Sequence, residues 1–282
     1  MTVRIDKETR GRFGNKIFHY NTMMQVSNIL GKDPSSCSWG GMEYFNDICN
    51  YKPQSPGTSY EITCKELNDL SIEDLKEIGK SYDNVSIHDY ALHGPFYKIS
   101  KIDPRTFLTI KPKWKANLNF SHPVVGIHIR GGDIRGADGN NMKEVHSSKF
   151  YKDAIDHVLK SNPSSKFFIA TDDPDVSYEP YRETRKYLSQ EDCLLNLETS
   201  HNSKNFIGDF AALSEADILI GGSSTFVMAA AIIGKNKKVI HSYKFFKQFL
   251  TSEGDWYSSW GNQNFYKDAI NMKSKYYDIE FL

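Results

Sequence analysis

From Val124 to His241 the chain repeats one pattern, a short continuous apolar run followed by a stretch with helical spacing. The runs are VVGIHI (124–129), FFIAT (167–171), DILIG (217–221) and KVIH (238–241). Between them, Phe150, Tyr151, Ala154, Ile155, Val158 and Leu159 recur at three- and four-residue intervals, and the stretches 210–216 and 226–233 read the same way. A strand that is apolar at every position needs cover on both faces, which a parallel sheet flanked by crossover helices supplies. The pattern therefore predicts an α/β domain. In such sheets ligands bind beyond the carboxyl ends of the strands, so the loops that matter follow Ile129, Ala170 and Ile220.

The chain before Val124 is less regular. Residues 15–30 read as a helix, with Ile17, Phe18, Tyr20, Met24, Ile29 and Leu30 on one broad face and Gly31 and Pro34 as stop signals. Residues 35–59 read mostly as loop. Ser71 followed by Asp74 marks a helix start for the stretch through Gly79, and Val85 to Ile87 suit a short strand. The change of pattern near 115–122 predicts two domains, 1–118 and 119–282, in keeping with a length of 282 residues.

Composition excludes several classes. Thirty-five basic residues balance thirty-five acidic ones, which removes the electrostatic case for wholesale binding to nucleic acid, although peripheral contact with a membrane stays compatible. The longest apolar-rich stretch, 226–234, is about half the ~20 residues of a membrane span. The opening MTVRIDKETRGRFGN lacks the apolar centre of a secretion signal. With Cys37, Cys49, Cys64 and Cys193 forming no C-x-x-C pair, reduced thiols in a cytoplasmic protein are expected.

The loops carry chemistry of one kind. After the first run comes His128-Ile129-Arg130-Gly131-Gly132-Asp133, where Arg130 is a forked cation suited to phosphate and Asp133 is placed to orient it. A surface turn with an ion pair reads equally from these residues. After the second comes Thr171-Asp172-Asp173-Pro174-Asp175, paired carboxylates that suit a divalent metal, an arginine or sugar donors. After the third, Ser223, Ser224 and Thr225 open a helix, an anion site or an ordinary cap. Gly11, Arg12, Gly14 and Asn15 precede the first helix in the same manner.

In order and spacing these segments resemble the fucosyltransferases. GRFGNKIFHY is similar to the G-R-F-G-N-Q opening of protein O-fucosyltransferases, and GIHIRGGD to the H-x-R-R-x-D motif that they share with α-1,2 and α-1,6 enzymes. FFIATDDPD is similar to the A-T-D-D-P segment of the α-1,6 enzymes, and DFAALSEADILIGGSSTFVMAAA to the stretch ending in their S-N-S-T-F helix start. Gly94 to Tyr97 match more faintly. The sequence departs from the pattern at Gly131, which stands where the second motif arginine belongs.

The resemblance implies a GT-B-like fold of two Rossmann-type domains facing across a cleft, GDP-fucose as donor, a glycan acceptor, no metal, and inversion at the sugar carbon. It implies that Arg130 holds the β-phosphate, that His128 and Asp209 address guanine, and that Ser224 and Thr225 meet the pyrophosphate, with Ser223 also donor-binding. Gly14 and Asn15 would lie near the sugar and the leaving group, with Gly11, Arg12 and Asp133 also donor-binding, and Asp172 and Asp173 would shape the site. Asp138 stands where the α-1,6 enzymes carry a glutamate, and becomes the candidate general base. Transfer from another nucleotide sugar, a GDP-sugar-binding protein without catalysis, and a metal-dependent enzyme using Asp172, Asp173 and Asp175 are the competing readings.

Overall fold

The computed structural model describes residues 1–6, 12–46, 48–54, 56–88, 99, 101–116, 118, 120–131, 147–195, 197, 206–221, 224–234, 238–242 and 278–282. These fall into two compact units, one within Met1–Lys111 and the other from Pro112 onward. Each unit is α/β.

The first unit, expected to be largely irregular, contains a four-stranded sheet. Its strands are β1 (Thr2–Ile5), β2 (Asp33–Ser36), β3 (Ser59–Thr63) and β4 (Asn84–His88). They lie in the order β2–β1–β4–β3, every pair parallel. Val85 to Ile87, expected as a short strand, lie in β4. The other strands are hidden in the sequence because one face of the sheet is polar yet buried: Thr2 donates to Asn84 Oδ1 at 3.1 Å and Ser86 to Asp6 Oδ2 at 3.0 Å. Pro34, which reads as a stop signal, sits in edge strand β2, where a missing N–H is tolerated.

Helix α1 (Phe13–Leu30) joins β1 to β2 and ends at Gly31, whose φ of 62° is left-handed and favours glycine. The helix does not present the single apolar face expected of it. Asn21, Thr22 and Gln25 are buried alongside Ile17, Phe18 and Met23, whereas Met24, Ile29 and Leu30 are only half-buried. The Gln25 amide explains part of this: it donates to Ile102 O (2.7 Å) and accepts from Lys101 N (2.8 Å) and Ile102 N (3.0 Å). Backbone therefore covers a flank of the helix that the apolar pattern leaves to solvent. Helices α2 (Cys64–Asp69) and α3 (Ile72–Ser81) each begin with a capping box, Thr63 with Glu66 and Ser71 with Asp74.

The second unit follows the apolar runs closely. Strands β5 (Val124–Ile129), β6 (Lys166–Thr171), β7 (Ile218–Gly221), β8 (Lys238–His241) and β9 (Asp278–Phe281) form a wholly parallel sheet in the order β6–β5–β7–β8–β9. Helices α4 (Ser148–Ser161), α5 (Glu179–Gln190), α6 (Phe206–Glu215) and α7 (Thr225–Ile233) complete it. On β5, Val125, Ile127 and Ile129 join a core with Phe150, Tyr151 and Ile155 of α4. Gly126 faces the other way, where an added Cβ would lie 2.8 Å from Leu213 of α6 and 3.0 Å from Phe168. His128 shares that second face, because side chains alternate along a strand.

Candidate functional site

The strand order sets where a ligand can sit. β6 lies on one side of β5 and β7 on the other, so the chain leaves β5 and β7 in opposite directions and opens a crevice at their carboxyl ends. Register brings the expected residues to one level: His128 pairs with Ala170 and Gly221, and Ile129 with Thr171. Arg130, Asp172 and the start of α7 therefore issue from neighbouring strand ends.

The end of β5 is fastened by two tyrosines that the sequence reading did not single out. Tyr151 donates its O–H to His128 O (3.1 Å) and Tyr178 donates to Arg130 O (2.9 Å). Burial raises the Tyr151 pKa well above the ordinary phenol value, with lesser contributions from Tyr178 and Asp172, so it remains a donor. Arg130 is half-buried at the strand end. Its neighbour Gly131 donates its N–H to Asp172 Oδ1 at 2.7 Å, so the amide expected to approach a ligand is instead bound to that carboxylate. A Cβ on Gly131 would overlap Asp173 Cβ and lie 3.1 Å from its Cγ. Glycine is required here for close approach, not for an unusual dihedral angle.

On the second face of β5, the His128 ring lies 5.3 Å from that of Phe226, which in turn meets Phe210 edge-on at 5.1 Å. His128 and Asp209 are both buried. Asp209 lies one turn before Leu213 on α6, hence on the same stripe of that helix. Ser224 caps α7, its hydroxyl oxygen accepting from Phe226 N at 3.2 Å, and Thr225 follows half-exposed. The hydroxyl proton of Ser224 is not engaged by that bond, and the first amides of α7 mark its positive end.

The acidic run divides its attention. Asp172 accepts from Gly131, Asp173 packs on Gly131, and Asp175 accepts from Ser177 N (2.8 Å) and Oγ (2.7 Å). Among the described residues no three His, Cys, Asp or Glu side chains group to hold a metal ion. Arg12 is the N-cap of α1 with its side chain exposed, Gly14 is buried and Asn15 half-buried; all three belong to the first unit. Gly11, Asp133, Asp138, Ser223 and the segment 94–97 lie outside the described residues. Among the described residues no helix is long and apolar enough to cross a membrane.

No protein-family model matches the chain, and no curated protein matches it in sequence. Solved structures do match in fold. A point mutant of Arabidopsis thaliana FUT1 in complex with GDP superposes with a TM-score of 0.54 at 13% identity, covering 84% of this chain and 68% of that one. POFUT1 in complex with GDP-fucose gives 0.52 at 13% identity over 83% and 95% of the two chains. NodZ, an α-1,6-fucosyltransferase co-crystallised with GDP, gives 0.50 at 12% identity over 82% and 92%. The chain thus has the α/β, GT-B-like fold of fucosyltransferases, built from two Rossmann-type units with parallel sheets.

Proposed function

We propose that this protein transfers fucose from GDP-fucose to a hydroxyl of a glycan acceptor, with inversion and without a metal. The observation that carries the reading is the set of groups at the β5–β7 switch point: Arg130, the Ser224–Thr225 start of α7, and buried His128 and Asp209. The fold is shared with fucosyltransferases whose structures hold GDP or GDP-fucose. In this reading the second unit holds the nucleotide sugar, His128 and Asp209 meet guanine, and the first unit, including Gly14 and Asn15, serves the sugar and the acceptor.

The acceptor oxygen attacks the sugar carbon as GDP departs, through a transition state with oxocarbenium character. Negative charge gathers on the leaving diphosphate. The Arg130 guanidinium and the N–H groups at the start of α7 oppose that charge, and being fixed in advance they stabilise the transition state more than the ground state. The carboxylate of Asp138 takes the acceptor proton. The absence of the second motif arginine leaves Arg130 to carry the cationic role, and Asp173 beside Gly131 gives a steric reason for that absence. The Cys49 and Cys193 thiols suit a cytoplasmic enzyme building a surface or lipid-linked glycan.

The test is a GDP-release assay with GDP-fucose against GDP-mannose and UDP-galactose, with and without chelator, over β-galactosides and N-acetylglucosamine-terminated sugars. Release only from GDP-fucose, dependent on an acceptor and unaffected by chelator, is expected. Preference for another donor, or loss of turnover on chelation, overturns the reading.

A further inference from the structure

The first unit has a hollow of about 210 Å³, counting the part open to solvent, at the carboxyl ends of β1 and β2. Ile5 ends β1, Ser36 ends β2, and the buried rings of His19, Tyr20 and Trp39 line it. Half-exposed Lys16 and Cys37 stand among its lining residues.

Two groups in this lining lack partners. His19 is 4% exposed and bonds the backbone of Ile87, which raises its basicity and so accepts its ring N–H; its Nε2 is buried without a partner. That leaves Nε2 as a lone-pair acceptor. Trp39 is 7% exposed and its indole N–H is also buried without a partner. The indole is held in place, stacked on Tyr20 at 5.4 Å and on Phe45 at 6.2 Å, and its benzo edge fills the space a side chain on Gly41 would take. Leaving a buried donor and a buried acceptor unsatisfied costs roughly 1–3 kcal/mol each.

We propose that the hollow is a saccharide-hydroxyl site, in which a carbohydrate O–H donates to His19 Nε2 and the same oxygen accepts from the Trp39 indole N–H. A hydroxyl is the group that offers one donor together with acceptor lone pairs. The enclosed part of the hollow takes only about one water-sized group, so it admits a single hydroxyl and neither a whole sugar ring nor a nucleotide. It lies at the ligand-binding end of a parallel sheet. Its assignment to the acceptor sugar rests on the fucosyl-transfer reading; the binding of a sugar hydroxyl does not.

The experiment titrates full-length protein, free of nucleotide, with methyl β-galactoside and N,N′-diacetylchitobiose by saturation-transfer NMR, and separately with GDP by calorimetry. Wild type is expected to bind at least one of the two sugars. Trp39→Phe, which keeps a ring and removes the N–H, and His19→Gln should each weaken that sugar about tenfold. Cys37→Phe, which fills the hollow from a half-exposed position and avoids loss of buried groups, should abolish it. GDP affinity should stay within twofold in all three. Sugar binding by neither probe, or unchanged in Trp39→Phe and Cys37→Phe, overturns the proposal and leaves the hollow as a seat for ordered water only. Failure of GDP to bind wild type would count against the donor reading alone, since the sugar titration contains no nucleotide.

Discussion

Asp173 fills the space that a side chain at position 131 would need: a Cβ added to Gly131 would overlap Asp173 Cβ and lie 3.0 Å from its Oδ2. The pair joins the ends of β5 and β6, and the adjacent Gly131 N–H to Asp172 bond makes the same connection through the backbone. Gly131→Ala should therefore cost roughly 1–3 kcal/mol, the usual penalty for overpacking. Asp173→Gly in the same chain should recover most of it, whereas Asp173→Ala, which keeps the clashing Cβ, should not. Urea unfolding of the single and double variants reads the coupling; additive penalties would mean that the cost of Gly131→Ala does not arise at Asp173.

Arg130 stands half-buried at the end of β5. If it opposes charge on the departing diphosphate, Arg130→Ala should lower turnover of GDP-fucose by about 10²–10³, the effect of deleting one preorganised donor. A variant retaining more than a tenth of wild-type turnover rules out that role. Asp138→Asn should lose transfer yet bind GDP normally, which calorimetry checks alongside the assay.

Tyr178 acts on Arg130 through the backbone. Its O–H donates to Arg130 O, so Tyr178→Phe removes one hydrogen bond, worth about 1 kcal/mol of stability. A positioning role predicts more: kcat should fall several-fold while KM for GDP-fucose changes little. Tyr187 provides the comparison, because its O–H reaches Asp156 on the surface of α4 and α5. Tyr187→Phe should leave kcat unchanged; equal effects of the two variants would reduce Tyr178 to a stabilising contact.

Much of the second unit was legible in the residues. VVGIHI and KVIH coincide with β5 and β8 because both faces of those strands are buried, so apolarity itself marks their length. The first unit was less so: Val85 to Ile87 marked β4, but β1 alternates apolar Val3 and Ile5 with buried polar Thr2 and Arg4. Four-residue strands of that kind resemble loops. At the candidate site, Arg130, His128 and Ser224 stood out by residue type and position after a strand. Tyr151 and Tyr178 did not, because an aromatic at helical spacing looks like any core residue until the carbonyl that it meets is known. The reason for Gly131 was likewise hidden, as it lies in Asp173 on a different strand end.

His19 makes a pH-dependent contribution whose sign follows from its burial. Desolvation is the main cause that lowers its pKa from the ordinary 6.5 to about 4, with His88 pushing the same way and the bond to Ile87 opposing. The unfolded chain then takes up a proton at a higher pH than the folded one. Stability from this group is complete above pH 6.5 and drains away as the pH falls toward 4, by roughly 3 kcal/mol in all. Carboxylates such as Glu66, held low chiefly by the Thr63 backbone N–H, also lose stability on acidification, so the comparison must be differential. The unfolding free energies of wild type and His19→Gln, measured in urea at pH 7.5 and pH 4.5, should differ by about 2–3 kcal/mol less at the lower pH. A gap that stays constant between the two would show that His19 titrates alike in the folded and unfolded chains.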